Sequence, residues 1–410
     1  MRALVFDPTL PRYAITTVLR SVSRSALWGR FGALRLREIP EPALPGDDWV
    51  RVESLLGGIC GSDLHTIHLD ASPALSALSS FPFVLGHENA GRIVEVGPAA
   101  GELAVGQRVT VEPTLPCATR SVQAPCAHCA AGNYNLCVRV ADGHISPGLM
   151  IGACRDTGGS WAPRFVAHRS QIFPLPEAVS DENGLMAEPL ACAAHPAVTY
   201  PPPDRSTVLV IGGGVIGQCV IAALRATGSG AKVIALVKHA FQGEMARRLG
   251  ADAVVFLQRR DGHYEELADR LGGVLRRPML GKRLLLGGAD MTVECVGTSR
   301  SIDDALHLTA PGGRVVILGL GAISLYTDWT PVWLKELQLT GSYIYRWETW
   351  QGRRVRTLDL ALEWMASGRV DLAPLITHRY PLERYADALT AAMAKADSHA
   401  FKVAFTPQQS

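Results

Sequence analysis

Within the stretch Gly57-Gly-Ile-Cys-Gly-Ser-Asp-Leu-His65, Cys60, Ser62, Asp63 and His65 set a thiol, a hydroxyl, a carboxylate and an imidazole close together. A thiolate is a good zinc ligand, and a hydroxyl near an imidazole can pass a proton. A second promising group, Gly86-His87-Glu88, lies too far along the chain for local structure to bring it close. It must arrive by tertiary folding. A catalytic zinc site needs three protein ligands and one open position, and the first stretch is read as carrying part of one.

A second cluster follows. Cys126-x2-Cys129-x7-Cys137 supplies three thiols, and Cys117 precedes them. The close pair can grip one metal from a tight turn, and four thiolates would close a tetrahedral site of structural rather than catalytic kind. The alternatives are buried free thiols or a disulfide. The chain has nine cysteines, and its start, Met-Arg-Ala-Leu-Val-Phe, has no apolar core long enough for a signal peptide. A cytoplasmic, reducing setting is therefore expected, which favours zinc. Further on, Glu188 is followed by Cys192 at i+4 and His195 at i+7, so all three can share a helical face. A carboxylate in such apolar company needs a partner, which a metal would provide. Cys192 is the rival ligand, and His195 can equally be a hydrogen-bonded core residue.

The third signal is Val208-Leu-Val-Ile211, then Gly212-Gly-Gly214-Val215-Ile216-Gly217, then an apolar helix to about Ala226 and a second strand at Val233–Val237. Gly212, Gly214 and Gly217 satisfy G-x-G-x-x-G in the strand-to-helix setting that binds dinucleotides. Glycines let the backbone approach a pyrophosphate, whose charge is favoured at the helix N-terminus. The tip of the second strand, where an acid would accept from the ribose of NAD, reads Lys238-His239. A lysine there can pair with a 2′-phosphate, so NADP(H) is favoured over NAD(H).

The elements that must position these groups follow from pattern. The first ~110 residues look β-rich, with short apolar runs between Gly and Pro punctuation, including strands at Trp49–Ser54 and Ala90–Val96. From Val208 onward, further strands at Ala253–Phe256, Met291–Cys295 and Arg314–Leu318 alternate with helical patterns, which predicts a doubly wound parallel sheet. The run 180–195 is expected to be helical in its second half, with Pro189 in the first turn. Tyr200-Pro-Pro-Pro-Asp204 is a stiff break at a domain edge. The last seventy or so residues hold no core pattern of their own and are expected to pack onto the first domain. The organisation expected is therefore 1–198 as catalytic domain with the cysteine lobe at about 113–140, 199–342 as dinucleotide-binding domain, and 343–410 returning to the first.

Composition excludes some functions. With 48% apolar and 19% charged residues over 410 positions, the chain is an ordinary globular protein large enough for two cores. A net charge of +2 gives no reason to expect nucleic acid or an anionic membrane as partner. Thr207–Leu224, the most apolar run, is broken by adjacent glycines and reads as strand-turn-helix rather than a membrane span. Arg12, Arg20, Arg24 and Arg30 are read as a solvated insertion in preference to an anion-binding flap. Leu275–Gly288, with Arg276, Arg277, Lys282 and Arg283, is read as an inserted loop without function.

In combination and order, these motifs resemble those of zinc-dependent medium-chain dehydrogenases, of the alcohol, sorbitol and threonine dehydrogenase kind. The resemblance covers nearly the whole chain except the insertions near 10–30 and 275–288. It implies a β-rich GroES-like catalytic domain joined to a Rossmann domain, two zinc ions per chain, and a nicotinamide cofactor. It implies Cys60, His87 and Glu188 as catalytic zinc ligands, with Glu188 standing where classical alcohol dehydrogenases carry a cysteine. Glu88 then adjoins the metal, Asp63 orients His87, and Ser62 and His65 relay the alcohol proton. Lys402 matches, weakly, a residue near the cofactor phosphates, and Tyr345-Arg-Trp-Glu-Thr-Trp350 loosely resembles a substrate-side stretch of the sorbitol enzymes. The first two lobe cysteines lie further apart here than in the family pattern. The implied activity is hydride transfer between the cofactor and a secondary alcohol, polyol or sugar hydroxyl, or the matching carbonyl, in a homodimer or homotetramer. The rivals are a zinc-free quinone or enoyl reductase on the same fold and a non-catalytic nucleotide-binding scaffold.

Overall fold

The computed structural model describes residues 1–20, 27–29 and 32–407. Two compact units emerge: the first comprises Met1–Glu188, Tyr345–Trp347 and Leu358–Ser410, the second Pro189–Ile344 and Glu348–Thr357.

In the first unit the alternating runs become two sheets. The larger has the order Ile376–Tyr380, Lys402–Phe405, Trp49–Gly58, Asn89–Val96, Arg108–Val111, Ile172–Pro174, with Arg164–His168 also paired to Trp49–Gly58. Trp49, Val50, Val52, Ile93, Val109 and Phe165 fill its core at 0% exposure. The C-terminal residues thus enter as strands, since Ala404 and Phe405 pair with Gly58 and Gly57. The smaller sheet orders Leu34–Glu38, Arg2–Phe6 and Phe83–Val84. Leu4, Phe6 and Leu34 bury one face of it together with Ile59, Ile67 and Trp161.

In the second unit, six strands among the described residues form one parallel sheet. Its order is Ala253–Phe256, Lys232–Val237, Thr207–Ile211, Ala289–Glu294, Thr309–Ile317, Gln338–Gly341. That is the 3-2-1-4-5-6 order of a dinucleotide-binding sheet, whose ligand crevice lies where the strand order reverses. Val208, Leu209, Val210, Val233 and Ile234 are wholly buried, as a central parallel sheet covered on both faces requires.

Two sequence expectations change. The helix expected in the second half of 180–195 runs over Asp181–Thr199, and Pro189 sits in its interior rather than its first turn. Asp181 and Glu182 favour the earlier start because acids near a helix N-terminus complement its dipole. The division between units falls inside this helix, between Glu188 and Pro189. The inserted loop at 275–288 contains a hairpin, Val274–Arg276 pairing antiparallel with Leu284–Leu286, pinned by Leu285 in the core. Of the insertion near 10–30, Leu10–Leu19 is helical. Arg24 and Arg30 lie outside the described residues. Among the described residues no helix is long and apolar enough to cross a membrane.

Candidate active site

Cys60 ends the excursion from the strand Trp49–Gly58 and stands immediately before the helix Gly61–His68. Its N–H donates to Asp63 Oδ2 at 2.9 Å, so the acid of the motif caps its own helix. The other oxygen, Asp63 Oδ1, lies 3.4 Å from His87 Nδ1. One buried carboxylate therefore fixes both the backbone of Cys60 and the ring of His87. His87 comes from the loop between Phe83–Val84 and Asn89–Val96, and the Asn89 side chain locks that loop by donating to His87 O and Val111 O. Burial opposes protonation of His87, but the charge and hydrogen bond of Asp63, with Cys60 beside it, raise its pKa well above the ordinary value. With Nδ1–H turned to a carboxylate, Nε2 is the nitrogen left to meet a metal.

Ligand atoms of Cys60, His87 and Glu88 lie within 4.8 Å of one another. Glu88 is held against the strand Trp49–Gly58, where a Cβ on Gly58 would stand 2.1 Å from its Oε2. Only glycine permits that approach. Both carboxylate oxygens of Glu88 accept from Lys402 Nζ, at 2.6 and 2.5 Å, and the same ammonium donates to Ile59 O at 3.2 Å. Burial works against the charge on Lys402, yet Glu88, Cys60 and Glu188 together raise its pKa. Lys402 is thus a buried partner of Glu88. No local signal marks this pair, because the two residues are 314 positions apart.

Glu188 is 5% exposed and within electrostatic reach of Lys402, but stands outside the Cys60–His87–Glu88 set. Its helical neighbour His195 is engaged elsewhere: Nδ1 meets Glu348 Oε1, and Thr199 Oγ1 braces the other carboxylate oxygen at 3.2 Å. Ser62 and His65 are half-buried and lie one turn apart on the helix Gly61–His68, hence on one side of it.

The four lobe thiols come together, Cys117 included, with all sulfurs within 4.8 Å of one another. Cys117 Sγ and Cys137 Sγ are 3.7 Å apart. That is far beyond a disulfide bond and close to the ~3.8 Å expected for two thiolates on one tetrahedral zinc with ~2.3 Å bonds. The Cys126 and Arg139 N–H groups donate to Cys117 Sγ and Cys137 Sγ at 3.3 and 3.4 Å. The contact with Cys129 draws the Cys137 thiol down to about 5 and pushes Cys129 up, so negative charge already collects where a cation would sit. Arg120, fully buried, ties the lobe by donating to the carbonyls of Leu115, Asp142, Ile145, Ser146 and Gly148.

In the second unit the glycines of the loop divide their work. Gly212 has φ +114°, which L side chains rarely adopt, and a Cβ on Gly217 would stand 1.8 Å from Gly212 O. A Cβ on Gly214 would meet nothing within 4 Å, leaving an open side at the start of the helix Val215–Ala226. A tight turn, an open approach and a close helix–strand contact are the three requirements of a pyrophosphate cradle. Val215 and Ile216 open that helix. Lys238 is exposed just past the second strand, and the Lys238 and His239 N–H groups both donate to Gln242 Oε1 at 3.2 Å. His239 stacks on Phe241, with ring centroids 5.6 Å apart.

Residues 46–177 match the alcohol dehydrogenase GroES-like domain, and residues 215–359 match the zinc-binding dehydrogenase domain. L-idonate 5-dehydrogenase of Vitis vinifera is 32% identical over 85% of this chain and 84% of its own length. Sorbitol dehydrogenase of Bos taurus is 31% identical over 87% and 89%. Among solved structures, 2R,3R-butanediol dehydrogenase from Bacillus subtilis superposes with a TM-score of 0.69 at 26% identity, covering 91% of this chain and 96% of that one. A Sinorhizobium meliloti protein assigned as a zinc-binding dehydrogenase and solved bound to NADP gives 0.69 at 28% identity, over 91% and 95%.

Proposed function

The chain belongs to the family of zinc-binding alcohol dehydrogenases with a GroES-like domain and is an NAD(P)-dependent oxidoreductase of secondary alcohols, polyols or sugars; we propose, within that class, how its own residues divide the work. The observation that carries the reading is the clustered set Cys60, His87 and Glu88, braced by Asp63, in a chain whose glycine turn also fits a pyrophosphate. Cys60 and His87 would hold the catalytic zinc, with Glu188, outside their cluster but within electrostatic reach of Lys402, as the third ligand. Cys117, Cys126, Cys129 and Cys137 hold a second, structural zinc, making two per chain. Bound zinc supplies a Lewis acid that lowers the pKa of the substrate hydroxyl, or polarises the carbonyl in reverse.

The remaining tasks fall to side chains. Asp63 keeps Nδ1 of His87 protonated and its ring oriented. Lys402 holds the Glu88 carboxylate beside the ligands without leaving it as a bare buried charge. Ser62 and His65 carry the hydroxyl proton outward. Gly212, Gly214 and Gly217, with Val215 and Ile216 opening the helix, receive the pyrophosphate. Lys238, with His239 beside it, takes the 2′-phosphate, so NADP(H) is preferred. Support for an assembly of two or four copies comes from the exposed apolar residues Ile323, Leu325, Trp333 and Leu334.

The test is a screen of secondary alcohols, polyols and sugars with both cofactors, followed by nicotinamide absorbance, alongside metal analysis of the purified protein. Two zincs and turnover of a polyol are expected. Metal-free protein active on quinones or enones would replace this reading with that of a zinc-free reductase. Cofactor binding without turnover of any alcohol would favour a scaffold.

A further inference from the structure

The inserted hairpin, Val274–Arg276 with Leu284–Leu286, divides its residues between two faces. Leu275 and Leu285 are opposite one another and turn inward: Leu285 is wholly buried and Leu275 packs against the core. Successive side chains of a strand alternate, so the pairs Val274–Leu286 and Arg276–Leu284 share the outer face. Val274 and Leu286 remain exposed there. In the connection between the strands, Met279 and Leu280 are 96% and 88% exposed. Single apolar residues on a surface are ordinary, whereas four exposed within one hairpin make a patch that calls for a partner.

Charge accompanies the patch. Residues 274–288 carry Arg276, Arg277, Lys282 and Arg283 and no acid. Two of these cations are used to fasten the hairpin. Lys282 Nζ meets Asp303 Oδ2 and Asp304 Oδ1 at 2.6 Å each. Arg283 donates to Glu265 Oε1 at 2.6 Å and to Asp261 O at 2.5 Å. Together with Leu285 these contacts hold the hairpin to the helices His263–Arg270 and Ser299–Leu308, so its tip is presented with little left to order on binding. Arg276 and Arg277 are exposed, and among the described residues no hydrogen bond or ion pair engages their side chains. The net charge of +2 averages over the whole chain; the field of this hairpin is local.

The chemistry of the patch narrows its partner. A stable protein interface engages about 20–30 residues on each side, more than this hairpin presents. Single-stranded nucleic acid is held largely by aromatic stacking, and residues 274–288 contain no aromatic residue. An anionic bilayer needs neither. It asks for apolar side chains that enter the headgroup boundary and cations that stay at its surface. Arginine suits the second task, because its stem can lie along apolar surface while the guanidinium fork meets phosphate oxygens. We propose that the hairpin 274–286 is a reversible docking element for an anionic lipid surface, with Met279 and Leu280 entering the interface and Arg276 and Arg277 pairing with lipid headgroups. The contact is peripheral and independent of which alcohol the protein oxidises.

The test is co-sedimentation of the zinc-loaded full chain with vesicles of phosphatidylcholine alone and of an equimolar mixture with phosphatidylserine. Partitioning onto the mixed vesicles only is expected, and it should weaken as salt is raised. The double variant Arg276→Gln with Arg277→Gln should lower the partition coefficient by about fivefold for each charge removed. The double variant Met279→Ser with Leu280→Ser keeps every cation and should lower it by about tenfold or more, through the lost apolar burial. All four side chains are exposed, so both variants should keep the thermal midpoint of the parent, which calorimetry checks. Equal partitioning onto both vesicle types, or none onto either, overturns the proposal. So does an unchanged partition coefficient in the serine variant, which would reduce the contact to plain electrostatic adsorption. An oligomer that the serine variant dissociates, in a chain that binds no vesicles, would give the patch to a second copy instead.

Discussion

Replacing Lys402 by methionine removes the cation that both oxygens of Glu88 face at 2.6 and 2.5 Å. The side chains are 3% and 1% exposed, so water does not take over the role. Breaking a buried ion pair by deleting one partner costs about 3–5 kcal/mol, because the other charge stays buried and uncompensated. In a domain of 150–250 residues each kcal/mol lowers the midpoint by about 2–4 °C, so Lys402→Met is expected to unfold roughly 10 °C earlier. The double variant Lys402→Met with Glu88→Gln removes both charges and should recover most of that loss, since a neutral replacement of a buried pair is often tolerated. Calorimetry at fixed free zinc reads both effects once each variant's own zinc affinity has been measured and its contribution subtracted. The coupling between the two sites should be at least 2 kcal/mol, roughly the upper part of the range for residues in contact. The folded pKa of Lys402 is raised, so its stabilisation persists up to the unfolded value of about 10.4 and is lost as pH rises through the folded one. A loss below about 1 kcal/mol in Lys402→Met, or additive single and double variants, would refute the assignment of this pair as a buried mutual neutraliser.

The remaining expectations concern the metals, the cofactor and a second buried lysine. Cys60→Ala should lower the zinc content from two to one per chain and abolish turnover while leaving the circular dichroism spectrum unchanged; retention of both zincs would exclude Cys60 as a ligand. Lys238→Asp should shift the ratio of kcat/KM values toward NAD by tenfold or more, about 1.4 kcal/mol for each decade, and an unmoved ratio would remove Lys238 from cofactor choice. Gly217→Ala places a methyl 1.8 Å from Gly212 O, so dinucleotide affinity should collapse in a fluorescence titration. Lys335 donates to two uncharged acceptors, His307 O and Thr309 O, and burial lowers its pKa to about 8. Between that value and about 10.4 the unfolded chain binds more protons, so stability should rise with pH across this window. Lys335→Met should flatten that rise.

What could be read from the chain alone was whatever nearness in sequence or periodicity encodes. The strand–glycine–helix run at 207–226 forms as a local unit, because its turn, its cradle and its helix start all lie within a few residues. Cys60 and Asp63 declare themselves in the same way, since a capping contact spans only three positions. Pro189 misled because proline is best tolerated in a first turn, and nothing local announces a helix that begins at Asp181 and carries the proline inside. Lys402 was out of reach for a different reason. Its strand joins the sheet beside Trp49–Gly58 only after the whole second unit has been threaded, and one lysine in an apolar strand carries no mark of its partner. The ion pairs of Asp7 have the same origin: positions 12 and 37 look like scattered charge until a helix and a strand bring Arg12 and Arg37 to one carboxylate oxygen. Motifs of chemistry therefore appear early in such a reading. The charges that neutralise, tune or extend them are set by register, and register is the property that a single sequence discloses last.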